Sequence, residues 1–264
     1  MTTETVLLKV DGRGVASLTL NRPELHNAFD DTIIASLIAQ LARVAADPAV
    51  RVLVLRSEGK NFSAGADLNW MRRMADNDRA ANLVDARGLA TLMQRLNDLP
   101  QPTIARVQGA AFGGAVGLAA CCDMVVATEA SRFCLSEVRI GLIPAVISPY
   151  VVRAIGERQA RRYFLSAETF SASQAERWGL VHQVVADNEQ LDPACDSLIN
   201  HLLANGPAAV SAAKALIAAV ANRVTDAAVI EDTARRIADI RVSPEGQEGL
   251  GAFLNKRKPS WIQE

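Results

Sequence analysis

No stretch of this 264-residue sequence is long and apolar enough to span a bilayer. The longest run free of polar and charged side chains, residues 109–122, stops at Asp123 and is rich in glycine. Cysteines are few, at 121, 122, 134 and 195, and they form no C-x-x-C pair. Neither a zinc site nor a disulfide framework is indicated, and buried reduced thiols are the expectation. The phosphate loops G-x-x-x-x-G-K-[ST] and G-x-G-x-x-G are absent, as are H-E-x-x-H and any acidic cluster with metal spacing, so no metal is expected. G-x-S-x-G is missing too, and the histidines at 26, 182 and 201 are scattered, which excludes a nucleophile-elbow hydrolase. Without a base nearby, Ser63 reads as a turn hydroxyl. Aromatic residues are sparse and the formal charge of −1 gives no electrostatic reason to expect nucleic acid or a membrane surface as partner. The first ten residues lack the basic start and apolar run of a signal peptide, so a cytoplasmic location is expected. What remains is a small-molecule substrate.

The length allows one large domain or a core with an appendage. Two β-rich runs, 6–10 and 15–20, flank Asp11-Gly12-Arg13-Gly14 and predict an opening hairpin. Asp30-Asp31 then caps a helix whose apolar positions Ile34, Leu37, Ile38, Leu41 and Val44 follow the 3.6-residue period. A nearly continuous apolar strand over 50–55, buried on both faces, leads into the small-residue turn 61–68. The next helix, with Leu89, Leu92, Met93 and Leu96 on one face, stops at Pro100 and Pro102. Strands over 103–107 and 124–127 bracket the glycine turn and its helix. Strand, turn, helix therefore occurs twice, which implies a βα-type architecture with ligands at strand C-terminal ends. Beyond Ile147 the pattern is mostly helical, and a C-terminal helical layer is expected from about Glu157 onward. The expected division is an α/β core over 1–200 and a C-terminal helical region over 201–264.

The chemistry is concentrated in residues 107–123, V-Q-G-A-A-F-G-G-A-V-G-L-A-A-C-C-D. Glycines there permit close approach of main chain to a ligand, and the first N–H groups of a helix have no intrahelical partner. An oxyanion, such as a carbonyl oxygen gaining charge, suits this turn better than a nucleotide phosphate. The turn at 61–68 is a second place where N–H groups could face a ligand. A carboxylate completes the set: Glu137, in F-C-L-S-E-V-R-I-G-L-I-P, has apolar neighbours that would raise its pKa toward values useful for proton transfer. His26 reads as a surface or packing residue.

Five segments in order resemble the enoyl-CoA hydratase/isomerase (crotonase) superfamily: N-R-P at 21–23 with Asn27-Ala28, F-S-A-G-A-D at 62–67, the turn 109–117, Glu137 with Gly141-Leu142-Ile143-Pro144, and F-L-N-K-R-K at 253–258. The resemblance implies a crotonase-like α/β fold of repeated ββα units, followed by a C-terminal helical region that builds a homotrimer or a dimer of trimers. It also implies an acyl-CoA substrate, with coenzyme A part of that substrate and no tightly bound cofactor. In the implied site the N–H groups of Ala66 and Gly114 hold the thioester oxygen and Glu137 transfers the proton. Gly113, Gly117, Leu68 and Arg139 would border the acyl group, while Ala28, Ala64, Asp67, Lys256 and Lys258 would meet CoA, the lysines from a neighbouring subunit.

Hydratases of this superfamily commonly carry two glutamates, and the first position aligns with Gly117. Three readings stay open: a hydratase with one carboxylate, a Δ3,Δ2-enoyl-CoA isomerase shuttling a proton between C2 and C4, or a non-catalytic acyl-CoA binder. Residues 112–123, 133–144 and 243–250 resemble bacterial 3-methylglutaconyl-CoA hydratases and the related isohexenylglutaconyl-CoA hydratases, whose substrates carry a second carboxylate. On that resemblance Arg139 is expected to grip the second carboxylate, and Gly117 to be the vacancy that admits a branched acyl group.

Overall fold

A computed structural model describes residues 4–262 of the protein. The extreme ends of both expected regions lie outside the described residues, as do the first three residues of the segment read above as lacking a leader. Strands β1 (Val6–Val10) and β2 (Val15–Leu20) form the expected antiparallel hairpin. The Asp11 carboxylate holds its turn by accepting from the N–H groups of Arg13 and Val15. Asp30 caps α1 (Asp31–Ala46) by accepting from the Ile33 N–H. β3 (Val52–Ser57) follows, shifted two residues beyond the expected strand. Then come α2 (Leu68–Asp76), α3 (Arg79–Asn97), β4 (Thr103–Val107), β5 (Ala110–Phe112), α4 (Gly114–Cys121), β6 (Met124–Thr128) and β7 (Arg132–Cys134).

The second half comprises α5 (Ser148–Ser166), β8 (Phe170–Ser171), α6 (Ala172–Trp178), β9 (Gln183–Val185), α7 (Leu191–Leu203), α8 (Pro207–Val220), α9 (Ala227–Val242) and α10 (Pro244–Leu254). The main sheet has the order β1-β2-β3-β4-β6-β9 and is parallel except for β1. A smaller sheet, β5-β7-β8, stands beside it. Alternation along β3 explains why its sequence is apolar throughout. Leu53 and Leu55 join α1 and α3 in the larger core, while Val52 and Val54 pack with Ile104, Val126, Leu191 and Ile199 under α7 on the opposite face.

Two expectations need correction. The helical pattern expected beyond Ile147 is there, with α5 opening at Ser148, but the layer starts ahead of Glu157 and is interrupted by β8 and β9, which extend the two sheets. At two and three residues these strands are too short to register as a period. The boundary expected after residue 200 falls inside α7, which packs on the sheet, and the chain turns away from the core only at Gly206, by 102° into α8. Beyond that turn burial is sparse: α8 has no buried residue, α9 only Val229 and α10 only Ala252. Ile217, Ile237, Leu250, Phe253 and Leu254 are exposed there. No single helix among the described residues is long and apolar enough to cross a membrane. The four cysteines are free and buried, and burial pushes the Cys195 thiol up to about 11 and Cys122 to about 12.

Candidate active site

The turn after β3 is tied to β5 and to the residue that enters α1. Asn61 Oδ1 accepts from the Ala110 N–H at 2.9 Å, and Gln108 donates to the Ser57 and Gly59 carbonyls. Gly65, at φ +92°, is needed because a Cβ there would lie 2.8 Å from the Phe112 carbonyl oxygen. Phe29 N–H donates to the Gly65 carbonyl and Asp67 N–H to the Phe29 carbonyl. Between these two bonds, the Ala66 N–H has no acceptor among the described residues.

A second turn brings the matching donor. Gly113, at φ +54°, donates its N–H to the Cys134 carbonyl, and the next residue opens α4. Gly114 therefore keeps the unpaired N–H of a helix first turn. A Cβ on it would sit 2.7 Å from Phe29 Cζ, so glycine is what lets the turn close onto the aromatic ring. Ala66 and Gly114 both line one cavity of about 550 Å³, and so does Glu137.

Glu137 follows β7 at the start of a 3-10 turn, half-buried, with Oε2 buried and without a partner. Its Oε1 lies 3.3 Å from where a Cβ on Gly113 would be, so the carboxyl stands against the glycine turn. Burial pushes the Glu137 pKa up from its ordinary value, and a hydrogen bond from its own backbone N–H only partly opposes the shift. A carboxyl tuned upward can give and take a proton near neutral pH. The same shift has a cost in stability. The folded state binds the Glu137 proton more tightly than the unfolded state, so stability declines as pH rises from the ordinary carboxylate pKa through the raised one. Glu137→Gln removes that decline, and thermal denaturation at pH 7 and pH 5 should show the variant gaining on the parent at the higher pH.

The other expected positions divide. Gly117 is buried in α4, and it is not a vacancy. A Cβ there would clash with Ile147 Cγ2 and fall 2.7 Å from Ile147 Cβ; Ile147, itself 2% exposed, lines the cavity in its place. Arg139 is exposed and turned away from the cavity, with Nη2 donating to the Ala167 carbonyl at the end of α5. Its guanidinium caps a helix end and does not face an acyl group. Leu68, 67% exposed on the first turn of α2, is also outside the lining. Asp67 is engaged already, accepting from the Asn69 and Trp70 N–H groups as the α2 cap and pairing with Arg22 at 3.2 Å. Ala28 is buried, and its carbonyl accepts from Arg22; Ala64 is exposed, and its N–H donates to the His26 carbonyl. Lys256 and Lys258 are exposed beyond α10, apart from this cavity.

Sequence reasoning missed one wall of the cavity. Trp70 and Met74 of α2 and Asn82, Asp85 and Leu89 of α3 form it. Their spacings of three and four residues put them on one face of each helix, which is the signal available, but the same spacing also describes an ordinary core face.

Residues 11–264 match the enoyl-CoA hydratase/isomerase family model. The chain belongs to the enoyl-CoA hydratase/isomerase family. Among solved structures it resembles an enoyl-CoA hydratase from Shewanella pealeana, with a TM-score of 0.95 and 48% identity over 98% of this chain and 97% of that one. A 2,3-dehydroadipyl-CoA hydratase of Escherichia coli is 35% identical over 249 residues, covering 94% of each chain. A 1,2-epoxyphenylacetyl-CoA isomerase of Escherichia coli is 34% identical over 253 residues, covering 94% of this chain and 95% of its own. Within an enoyl-CoA hydratase/isomerase, two residues with unpaired N–H groups lining one cavity suit a thioester oxygen that gains negative charge, and a carboxyl lining the same cavity suits the proton that moves.

Proposed function

We propose that this family member is an enoyl-CoA hydratase that works with one carboxylate. The observation that carries the reading is the convergence on a single cavity of Ala66 and Gly114, whose N–H groups are unpaired, and Glu137, whose Oε2 is buried without a partner. The thioester oxygen of a 2-enoyl-CoA accepts from both N–H groups. As water adds to C3, electrons move through the C2–C3 double bond onto that oxygen. Each such donor typically lowers the barrier by about 3 kcal/mol. Glu137 as carboxylate orients the water and takes its proton, then returns a proton to C2 as the enolate collapses. The product is a 3-hydroxyacyl-CoA, with water's atoms accounted for at C3 and C2. No cofactor enters this scheme, since CoA arrives as part of the substrate.

A 3-methylglutaconyl-type ester is the leading substrate. The motifs at 112–123, 133–144 and 243–250 support it, as does the name of the dehydroadipyl-CoA hydratase relative, whose acyl chain ends in a second carboxylate. Because Arg139 faces the Ala167 carbonyl, Arg139→Ala should leave KM for such an ester within about twofold, and a steady-state comparison with crotonyl-CoA checks it. The exposed apolar side chains of α8, α9 and α10 support assembly into a trimer or paired trimers, which would bring Lys256 and Lys258 to a neighbour's CoA phosphates.

The second reading is an isomerase. One carboxylate is enough to move a proton from C4 to C2, and the epoxyphenylacetyl-CoA isomerase relative lends it weight. Loss of the enoyl-thioester absorbance with crotonyl-CoA and with 3-methylglutaconyl-CoA tests the proposal. Hydration bleaches the band; an unchanged band with both substrates removes the hydratase reading.

A further inference from the structure

Glu137 sits on a stretch of chain with little to hold it. Neither a strand nor an α-helix runs through residues 136–146, and Ile140, Leu142 and Ile143 along them are exposed. Their backbone hydrogen bonds run to one another or to Ser148, as where the Leu142 N–H donates to the Glu137 carbonyl at 3.1 Å. Among the described residues, one hydrogen bond ties this stretch to a distant part of the chain: Arg139 Nη2 donates to the Ala167 carbonyl. That carbonyl is a fixed anchor. Ala167 closes α5 in the left-handed conformation at φ +51°, is fully buried, and donates its own N–H to the Tyr163 carbonyl. The Tyr163 ring packs edge-on against Phe170 at 5.0 Å, and Phe170 stacks on Phe133 of β7. A carbonyl oxygen can accept two bonds, and the second comes from Cys134 Sγ at 3.3 Å. Cys134 in turn accepts the Gly113 N–H on its own carbonyl. One oxygen is therefore gripped from three residues before Glu137 and from two residues after it.

We infer that Arg139 is the positioning residue of Glu137: by holding the far side of the 3-10 turn to Ala167, it keeps the carboxyl standing against the Gly113 turn. The inference rests on the reading of Glu137 as the group that moves the proton. A charged donor on a neutral carbonyl makes a stronger tie than a neutral one, and small displacements of a catalytic group are costly to rate. Freed from the tie, the turn can swing its carboxyl toward water and lose the burial that pushes the Glu137 pKa up. Loss of a nearby cation acts in the opposite direction. By itself it would raise the pKa further, so the sign of the change separates position from charge.

NMR of the full-length protein, with ¹³C at the glutamate side-chain carboxyls, tests this without turnover. The Glu137 signal is the one missing from Glu137→Gln. Arg139 is exposed, so replacing it empties no part of the core, and Asp85, the other ionisable side chain lining the cavity, is common to every protein compared. In the wild type Glu137 should titrate above the ordinary carboxylate range. Arg139→Ala should bring it back into that range, and Arg139→Lys, which keeps a charged donor, should restore it. Steady-state kinetics supply the second readout: Arg139→Ala should lower kcat about tenfold with crotonyl-CoA and 3-methylglutaconyl-CoA alike, leaving KM within about twofold. A Glu137 titration that is unchanged or raised in Arg139→Ala overturns the proposal, as does a wild-type kcat in that variant. Should the wild type hydrate neither ester, the hydratase reading falls while the titration still decides the role of Arg139. Hydration by the wild type with Glu137 unmoved by Arg139→Ala would do the reverse.

Discussion

Glu137→Gln is expected to lower kcat/KM for enoyl-CoA hydration by about 10²–10⁴-fold while leaving CoA-ester affinity within a few-fold. The substitution keeps the shape of the side chain and removes its ability to accept and return a proton. Ala66 and Gly114, which line the same cavity and on the proposed reading hold the thioester oxygen, are untouched by the substitution, so binding should survive the loss of chemistry. Stopped-flow absorbance for turnover and calorimetry for a saturated acyl-CoA separate the two. A variant that hydrates at the wild-type rate would place the proton transfer elsewhere; Asp85, which also lines the cavity, would then be the group to test.

The second large effect is on stability. Gly117→Glu should destabilise the protein by about 3 kcal/mol or more, because it overpacks a closed site and buries a carboxylate without a partner. For a chain of this size that corresponds to a fall in Tm of about 6–12 °C. The obstacle is specific: a side chain at 117 runs into Ile147, with Met93 Cε also within 3.3 Å of the Cβ position. Ile147→Ala alone opens a cavity and should itself cost about 2–4 kcal/mol. Combined with Gly117→Glu it should cost less than the sum, by about 1–2 kcal/mol, since each change relieves the other. Strict additivity in thermal denaturation would mean that the two positions do not compete for the same space. Restoring the usual first glutamate therefore takes two substitutions in this chain.

Local chemistry was legible in the sequence, and packing between distant segments was not. The Asp30 cap, the Pro100 stop and the strand over 103–107 are set by residues within a few positions, and the structure shows each of them. The two glycine-bearing turns and Glu137 also announce themselves locally, by orphan N–H groups and by a carboxyl among apolar neighbours. The structure brings all three to one cavity. Gly117 and Arg139 were misread for the same physical reason. Whether a glycine is a vacancy depends on what lies opposite, here Ile147 thirty residues on, and where an arginine points depends on which carbonyl is left unpaired nearby, here Ala167.

The most direct test of one-carboxylate hydration is the fate of labelled water. Purified protein is incubated with crotonyl-CoA and with 3-methylglutaconyl-CoA in H₂¹⁸O, and the thioesters are analysed by mass spectrometry. The account predicts a 3-hydroxyacyl-CoA carrying one ¹⁸O at C3, absent with Glu137→Gln. A shifted double bond with no ¹⁸O incorporated would contradict it and make Glu137 the proton shuttle of an isomerase.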